Sequence, residues 1–365
     1  MMGMGSAPTP NFMTDSSRFH PILRCAAILL LLGIAGSLHG AAPLVAPRVI
    51  VVAMFEPGRD EGDTPGEFQY WVEREKLDRV VPFPQGYRDL RTNADGSILG
   101  IVTGVGTARS AASIMALGSD PRFDLRASYW LIAGIAGIDP EDGTIGSAAW
   151  AEWLVDGDLA HEIDPREAPA GWPTGYIPLR KTTPYELPRT TEDTGEVFRL
   201  NPTLTEWAYQ LTKDVPLMDT PGMADRRSKY VGLPNALRPP FVLKGDNLAA
   251  MTYWHGQRLN EWANRWVSYH TEGKGNYVTT AMEDTGTAQA LTWLARAGRV
   301  DFQRVLCLRT ASNFDMQWPG ATAHESLSGE KLAAYSAYLP SLDAAHRVGS
   351  KVVHALIAGQ SPIKP

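Results

Sequence analysis

Apolar residues along this chain fall in short runs separated by segments of helical period. The runs PRVIVVAMF (47–55), LDRVVPF (77–83), ILGIVTGV (98–105), SYWLIAGIAG (128–137), GSAAWAEWLV (146–155), PPFVLKGD (239–246), NYVTTAM (276–282) and FQRVLCLRTAS (302–312) read as strands. Helices are predicted from Thr107 to Leu117, Leu204 to Lys213, Trp254 to His270 and Glu283 to Ala297, and from His324 to Ala358 with a break near Pro340. Runs that are apolar on both faces call for a sheet covered on both sides by helices, which is an α/β fold.

Two segments depart from this rhythm. SSRFHPILRCAAILLLLGIAGSLHGAAP carries an arginine-bearing lead, an apolar run and a small-residue exit, so residues 1–42 read as a secretory signal peptide cut near Gly40 to Ala42. The expected mature chain is exported, to the periplasm or the extracellular space, without stable membrane insertion. Its remaining length of about 320 residues suits one large α/β domain over 43–365. The stretch from Asp158 to Arg238, rich in Pro, Thr, Arg and Trp, reads as an insertion in that domain, with PRTTEDTGEVF and DTPGMADRRSKY as loops. The helical spacing of Trp262 and Trp266 points to core packing, and Cys307 reads as a buried thiol.

Charge narrows the partners. A net charge of −6 with scattered Lys and Arg offers no basic stripe for nucleic acid. Metal and organic cofactors are not expected.

Chemistry-bearing residues gather where strands end. In YVTTAMEDTGTAQAL (277–291) a short strand runs into a helix through Met282 and Glu283. That places a carboxylate at the carboxyl edge of a sheet, where open α/β sheets bind ligands. A carboxylate accepts from two neighbouring hydroxyls, so Glu283 suits a ribose diol, with the thioether of Met282 under the sugar. The turn TGVGTARSA offers a helix N-terminus to an anion or a hydroxyl, with Gly106, Thr107, Arg109 and Ser110 at hand. In FEPGRDEGD, Gly58 lets the backbone approach a ligand, Arg59 could fork onto a phosphate and Glu56 could orient a water. In LRTASNFDMQ, Asn313 and Asp315 follow a strand and could hold a heterocycle as it departs with negative charge.

The order of these motifs resembles the purine nucleoside permease family, which is related in fold to nucleoside phosphorylases and nucleosidases. AMFEPGRDEGD, TGVGTARSAAS, YWLIAGIAGIDPEDGTIGSAAWAEWLVDGDLAHEID, KGDN, TAMEDTGTA and RTASNFD span nearly the whole mature chain. The resemblance implies a three-layer α/β/α fold around a mixed twisted sheet. It implies that IAGIAGID, with Ala133 and Gly134, lends backbone to the base and sugar pocket, that Met282 and Glu283 hold the ribose, and that Asn313 favours inosine or guanosine over adenosine. The implied activity is cleavage of the N-glycosidic bond of purine nucleosides by phosphate or water, with Asn313 and Glu283 as the catalytic pair. The alternative is nucleoside capture for uptake without turnover. Arg109 intrudes where phosphorylases place Ser or Thr, which leaves inorganic phosphate an open co-substrate. A homo-oligomer is also open, because in relatives a neighbouring subunit can meet the ribose 5′-hydroxyl.

Overall fold

The computed structural model describes residues 45–189, 195–329 and 336–363. The signal-peptide reading therefore falls outside the described residues. Strand β1 (Val49–Ala53) leads to α1 (Gln69–Glu75), the hairpin β2 (Arg79–Val81) and β3 (Leu90–Thr92), then β4 (Ile98–Val102), α2 (Thr107–Ser119) and the long β5 (Tyr129–Ile138). Next come β6 (Ala148–Ala151), β7 (Trp153–Asp156), β8 (Ala160–Glu162), β9 (Tyr176–Pro178), β10 (Val197–Arg199), α3 (Pro202–Thr212), α4 (Pro221–Ser228), β11 (Val242–Lys244) and β12 (Asp246–Ala249). The chain continues through α5 (Gln257–His270), β13 (Tyr277–Ala281), α6 (Asp284–Arg296), β14 (Val305–Phe314), α7 (Ala323–Gly329) and α8 (Tyr338–Ile357).

Twelve of these strands form one mixed sheet, ordered β10-β7-β12-β13-β5-β1-β4-β3-β2, with β14 also on β5 and β6 linking β14 to β11. β1 is parallel to β4 and β5, β14 is parallel to β5, and β13 is antiparallel to β5. Period-two alternation in β1 explains the layering. Val49, Val51 and Ala53 pack under α1, α3 and α8 with Trp71, Leu204 and Val352, whereas Ile50 and Val52 pack with Ile114 of α2 and Leu291 of α6. The sheet is thus covered on both faces, as the apolar runs require. Trp262 and Trp266 are buried against β12 and β13, and the Cys307 thiol of β14 is buried in the cluster that holds Ile50, Ile132 and Leu291.

Four local readings are corrected. GSAAWAEWLV is two strands, because the Asp246 carboxylate accepts the Glu152 and Trp153 N–H groups (3.1 and 2.8 Å) and diverts them from a ladder. PPFVLKGD likewise splits at Gly245, where a Cβ would lie 2.1 Å from Val278. DTPGMADRRSKY contains α4, begun by Thr220 Oγ1 accepting from Met223 N (3.2 Å) with Pro221 in the first turn. Pro340 does not break the last helix. It sits in the first turn of α8, where its missing N–H removes no helical bond. Within the Asp158 to Arg238 stretch, β8 and β9 form a separate two-stranded sheet, while β10 adds an edge to the main one.

Helices α2 and α6 cross at Gly286, where an added Cβ would lie 2.2 Å from the Thr107 carbonyl oxygen. Backbone on the far side cannot yield as a side chain can. Gly286→Ala is therefore expected to cost about 1–3 kcal/mol as overpacking, read as a lowered urea midpoint at unchanged slope. An unchanged midpoint would show that the seam relaxes freely.

Candidate functional site

A cavity of about 220 Å³ opens at the carboxyl ends of β5, β13 and β14, lined by Phe55, Glu67, Val105, Ile135–Gly137, Tyr253, Thr280–Glu283, Ser312 and Asn313. A small annexe shares Gly137, Tyr253, Thr280 and Asn313 and adds Thr252 and Trp254. The parallel pairing of β14 with β5 brings Asn313 opposite Gly137, across a register shift between Ala311 and Asn313. Met282 and Glu283 form the turn between β13 and α6, so both reach the same opening.

Glu283 is 5% exposed, and protein donors hold both of its oxygens. Oε1 accepts from Gly106 N (3.2 Å), and Oε2 accepts from Met282 N (3.2 Å) and Arg309 Nη2 (3.1 Å). Arg309 is the group that organises this end of the sheet. It makes a two-pronged pair with Asp284 (Nε to Oδ1 3.0 Å, Nη2 to Oδ2 2.9 Å) and donates to the Ile135 carbonyl (2.9 Å). It also lies 3.8 Å from Glu67. Three buried carboxylates thus share one buried guanidinium. Asn247 donates to Asp284 as well (2.8 Å), and Thr279 donates to Asn247 (3.0 Å).

Glu67 is the second cavity carboxylate. Its Oε2 accepts from Met54 N (2.8 Å) and Phe55 N (3.0 Å), and its Oε1 from Ile135 N (2.7 Å). A carboxylate has about four acceptor positions, so one remains on Glu67 Oε1 and one on Glu283 Oε1. Burial pushes the Glu67 pKa up to about 7, with Arg309 opposing and the Glu283 charge adding to the rise. Burial likewise raises that of Glu283, again against Arg309. Two acids that resist full ionisation in one cleft are what proton-transfer chemistry uses.

The residues singled out from the sequence divide into those that line the cavity and those that do not. Met282, Glu283 and Asn313 line it. Asn313 is pinned on both sides, donating from Nδ2 to the Phe314 carbonyl (3.0 Å) and accepting at Oδ1 from Ser312 Oγ (2.8 Å). Gly106 touches it through its bond to Glu283. Ala133 and Gly134 lie one step short of the lining residues Ile135–Gly137. A Cβ at Gly134 would meet Met54, Glu67 and Arg309 within 2.6 Å, so Gly134 gives room to the ion network instead of to a ligand. Asp315 is fully buried behind the wall, accepting from Asn260 Nδ2 and from the Tyr277 hydroxyl. Burial and the nearby Asp139 raise its pKa well above the usual range.

The set expected to hold phosphate or water is dispersed. Glu56 commits both oxygens to the Gly66, Phe68 and Gln69 N–H groups (2.7–2.9 Å) at the start of α1. Gly58 and Arg59 lie on an exposed loop, where Arg59 N donates to Asp63 (2.9 Å). Arg109 is exposed and folds back onto the Val105 carbonyl (3.2 Å). Ser110 bonds Thr287, and the Thr107 backbone abuts Gly286, so both belong to the seam between α2 and α6.

Sequence reasoning missed Arg309, Glu67 and Thr280. Arg309 left a signal, since a charge inside the apolar run VLCLRTAS must find a buried partner. Glu67 left none, because an acid just ahead of a helix is ordinary.

Comparison with known proteins identifies the family and the fold. A family model described as purine nucleoside permease (NUP) matches residues 46–361. A Candida albicans protein described as a purine nucleoside permease is 31% identical over 315 residues, covering 85% of this chain and 75% of its own. Among solved structures, a 5′-methylthioadenosine/S-adenosylhomocysteine nucleosidase of Helicobacter pylori in complex with a small molecule superposes with a TM-score of 0.50 at 15% identity, over 86% of this chain and all (100%) of that one. A mutant of the Helicobacter pylori enzyme with 5′-methylthioadenosine in its active site gives 0.50 at 14%, over 84% and 99%. At such identities the likeness shows the fold, and that fold is the phosphorylase-like α/β/α arrangement. Among the described residues no helix is long and apolar enough to cross a membrane.

Proposed function

We propose that this chain, which belongs to the purine nucleoside permease family, binds a purine nucleoside in the 220 Å³ cavity and hydrolyses its N-glycosidic bond. The observation that carries the reading is the pair of buried carboxylates, Glu283 and Glu67, each with one acceptor position left. Glu283 takes a ribose hydroxyl on its free Oε1 position. It takes the second by displacing the Met282 N–H, whose 3.2 Å contact is among its longest. Its negative charge then stabilises the ribosyl carbon as that carbon gains oxocarbenium character. Water adds at C1′ as the bond to the base breaks, the electron pair leaves on the base, and the proton lost by the water passes to Glu67. Asn313 faces the base.

Water suits this cavity better than phosphate. Two carboxylates in the wall repel an anion, and the guanidinium behind them is committed to Asp284. Arg59 and Arg109 do not line the cavity. The leader-like start of the sequence supports, in this reading, a reaction outside the cytoplasm.

A pH profile tests the role of Glu67. Its raised pKa means the base form dominates only above about 7, so kcat/KM for inosine is expected to rise with pH to a plateau beyond that value. Arg309, Glu283 and the Tyr338 hydroxyl of α8 are the charged or titratable groups around it. Glu67→Gln is expected to lower the plateau by about 10²–10⁴-fold and to remove the acid limb. A profile unchanged by that substitution would contradict the assignment. The same shift has a stability sign. The folded protein favours the protonated acid, so this group's contribution is complete below pH 4.5 and is lost as pH rises through about 7.

The name borne by the relatives supports a second reading, in which the site captures nucleosides for uptake without turnover. Calorimetric binding with no base released over many hours would favour it.

A further inference from the structure

We infer that the Thr280 hydroxyl donates a hydrogen bond to the purine base as it leaves, a role that rests on the reading of this cavity as a purine nucleoside site. Thr280 lines both the cavity and its annexe. It stands on β13 one residue beyond Thr279, and alternation turns the two opposite ways. Thr279 faces inward and bonds Asn247, whereas the Thr280 side chain makes no hydrogen bond to any described residue. Its methyl rests on Gly137, where an added Cβ would lie 3.0 Å from Cγ2. A β-branched side chain has few χ1 choices, so seating the methyl fixes where the hydroxyl goes.

At this end of the cavity Ser312 and Asn313 are engaged with each other and with the Phe314 carbonyl, while the buried Trp254 indole N–H of the annexe has no hydrogen-bond partner among the described residues. Asn313 gives one amide proton to the Phe314 carbonyl and receives the Ser312 proton on Oδ1, so one amide proton and one acceptor position on Oδ1 remain. The hypothetical Gly137 Cβ would also lie 3.3 Å from Asn313 Nδ2, which puts Thr280 and Asn313 side by side across that glycine. A base departing with the bond's electron pair needs a donor. Asp315 is tied to Asn260 and Tyr277 behind the wall, and Thr280 supplies the free O–H beside the amide. Acceptor and donor together read a ring edge with one of each, and the donor grows more effective as negative charge develops on the base.

The experiment compares wild type, Thr280→Val and Thr280→Ser for inosine cleavage and for inosine affinity by calorimetry. Valine keeps the shape and removes the hydroxyl, so kcat is expected to fall by about tenfold to a hundredfold, with Kd changed less than threefold and Tm unchanged. Serine is expected to retain most of the wild-type kcat. Should the wild type bind inosine without cleaving it, the inference falls, because no base departs. Cleavage by the valine variant within twofold of wild type overturns it while leaving the cavity's role intact. A wild type that neither binds nor cleaves removes the cavity reading itself, so the two failures are told apart.

Discussion

Glu283→Ala is expected to lose at least about tenfold in purine nucleoside affinity or turnover while keeping its fold. The substitution removes one or two hydrogen bonds to a charged acceptor, each worth about 1.5–3 kcal/mol, which spans about tenfold for one weak bond to about 10⁴-fold for two strong ones. Stability responds differently. Arg309 keeps its two-pronged pair with Asp284 and its bond to the Ile135 carbonyl. Burial already raises the Glu283 pKa, so this carboxylate is held in the wall at some cost to the folded state. The alanine variant should therefore melt within a few degrees of wild type. A variant that folds and works at the wild-type rate would remove Glu283 from the site.

Arg309→Met should have the opposite signature, a loss of stability before any loss of function can be measured. Arg309 is 1% exposed and is the shared counter-charge of Glu67, Glu283 and Asp284. Removing one partner of a buried ion pair costs about 3–5 kcal/mol because the other charge stays buried. With domains stable by only about 5–15 kcal/mol in total, the variant should unfold at a much lower urea concentration or fail to accumulate folded. Adding Asp284→Asn neutralises the best-paired of the three acids and should recover part of the loss, which separates charge imbalance from lost packing. A single variant within about 1 kcal/mol of wild type would contradict the network.

The contrast between these two side chains explains what could be read in advance. The sheet, its double-sided covering and the placement of Met282, Glu283 and Asn313 at strand ends followed from local patterns of two to fifteen residues. What escaped was set by pairing between distant strands. Glu67 reaches Ile135 across 68 residues and Arg309 reaches Ile135 across 174, and no local pattern encodes either bond. The same limit explains Ala133 and Gly134. The strand was right, but which of its residues lie level with the cavity depends on the register of β14 against β5. For Arg59 and Arg109 the loops were placed at strand ends, yet the side chains fold back onto their own segments, a choice that a short loop makes locally. Glu56 shows a related ambiguity. An acid after a strand can serve a ligand or a helix N-terminus, and here the three amides around α1 take it.

Chromatography of inosine, guanosine, adenosine and uridine after incubation with the purified protein, with and without phosphate, tests the central claim most directly. Hydrolysis in this cavity predicts free hypoxanthine and guanine at the same rate in both buffers, slower release of adenine, and intact uridine. Base released only when phosphate is present, or no base from any nucleoside, would contradict it.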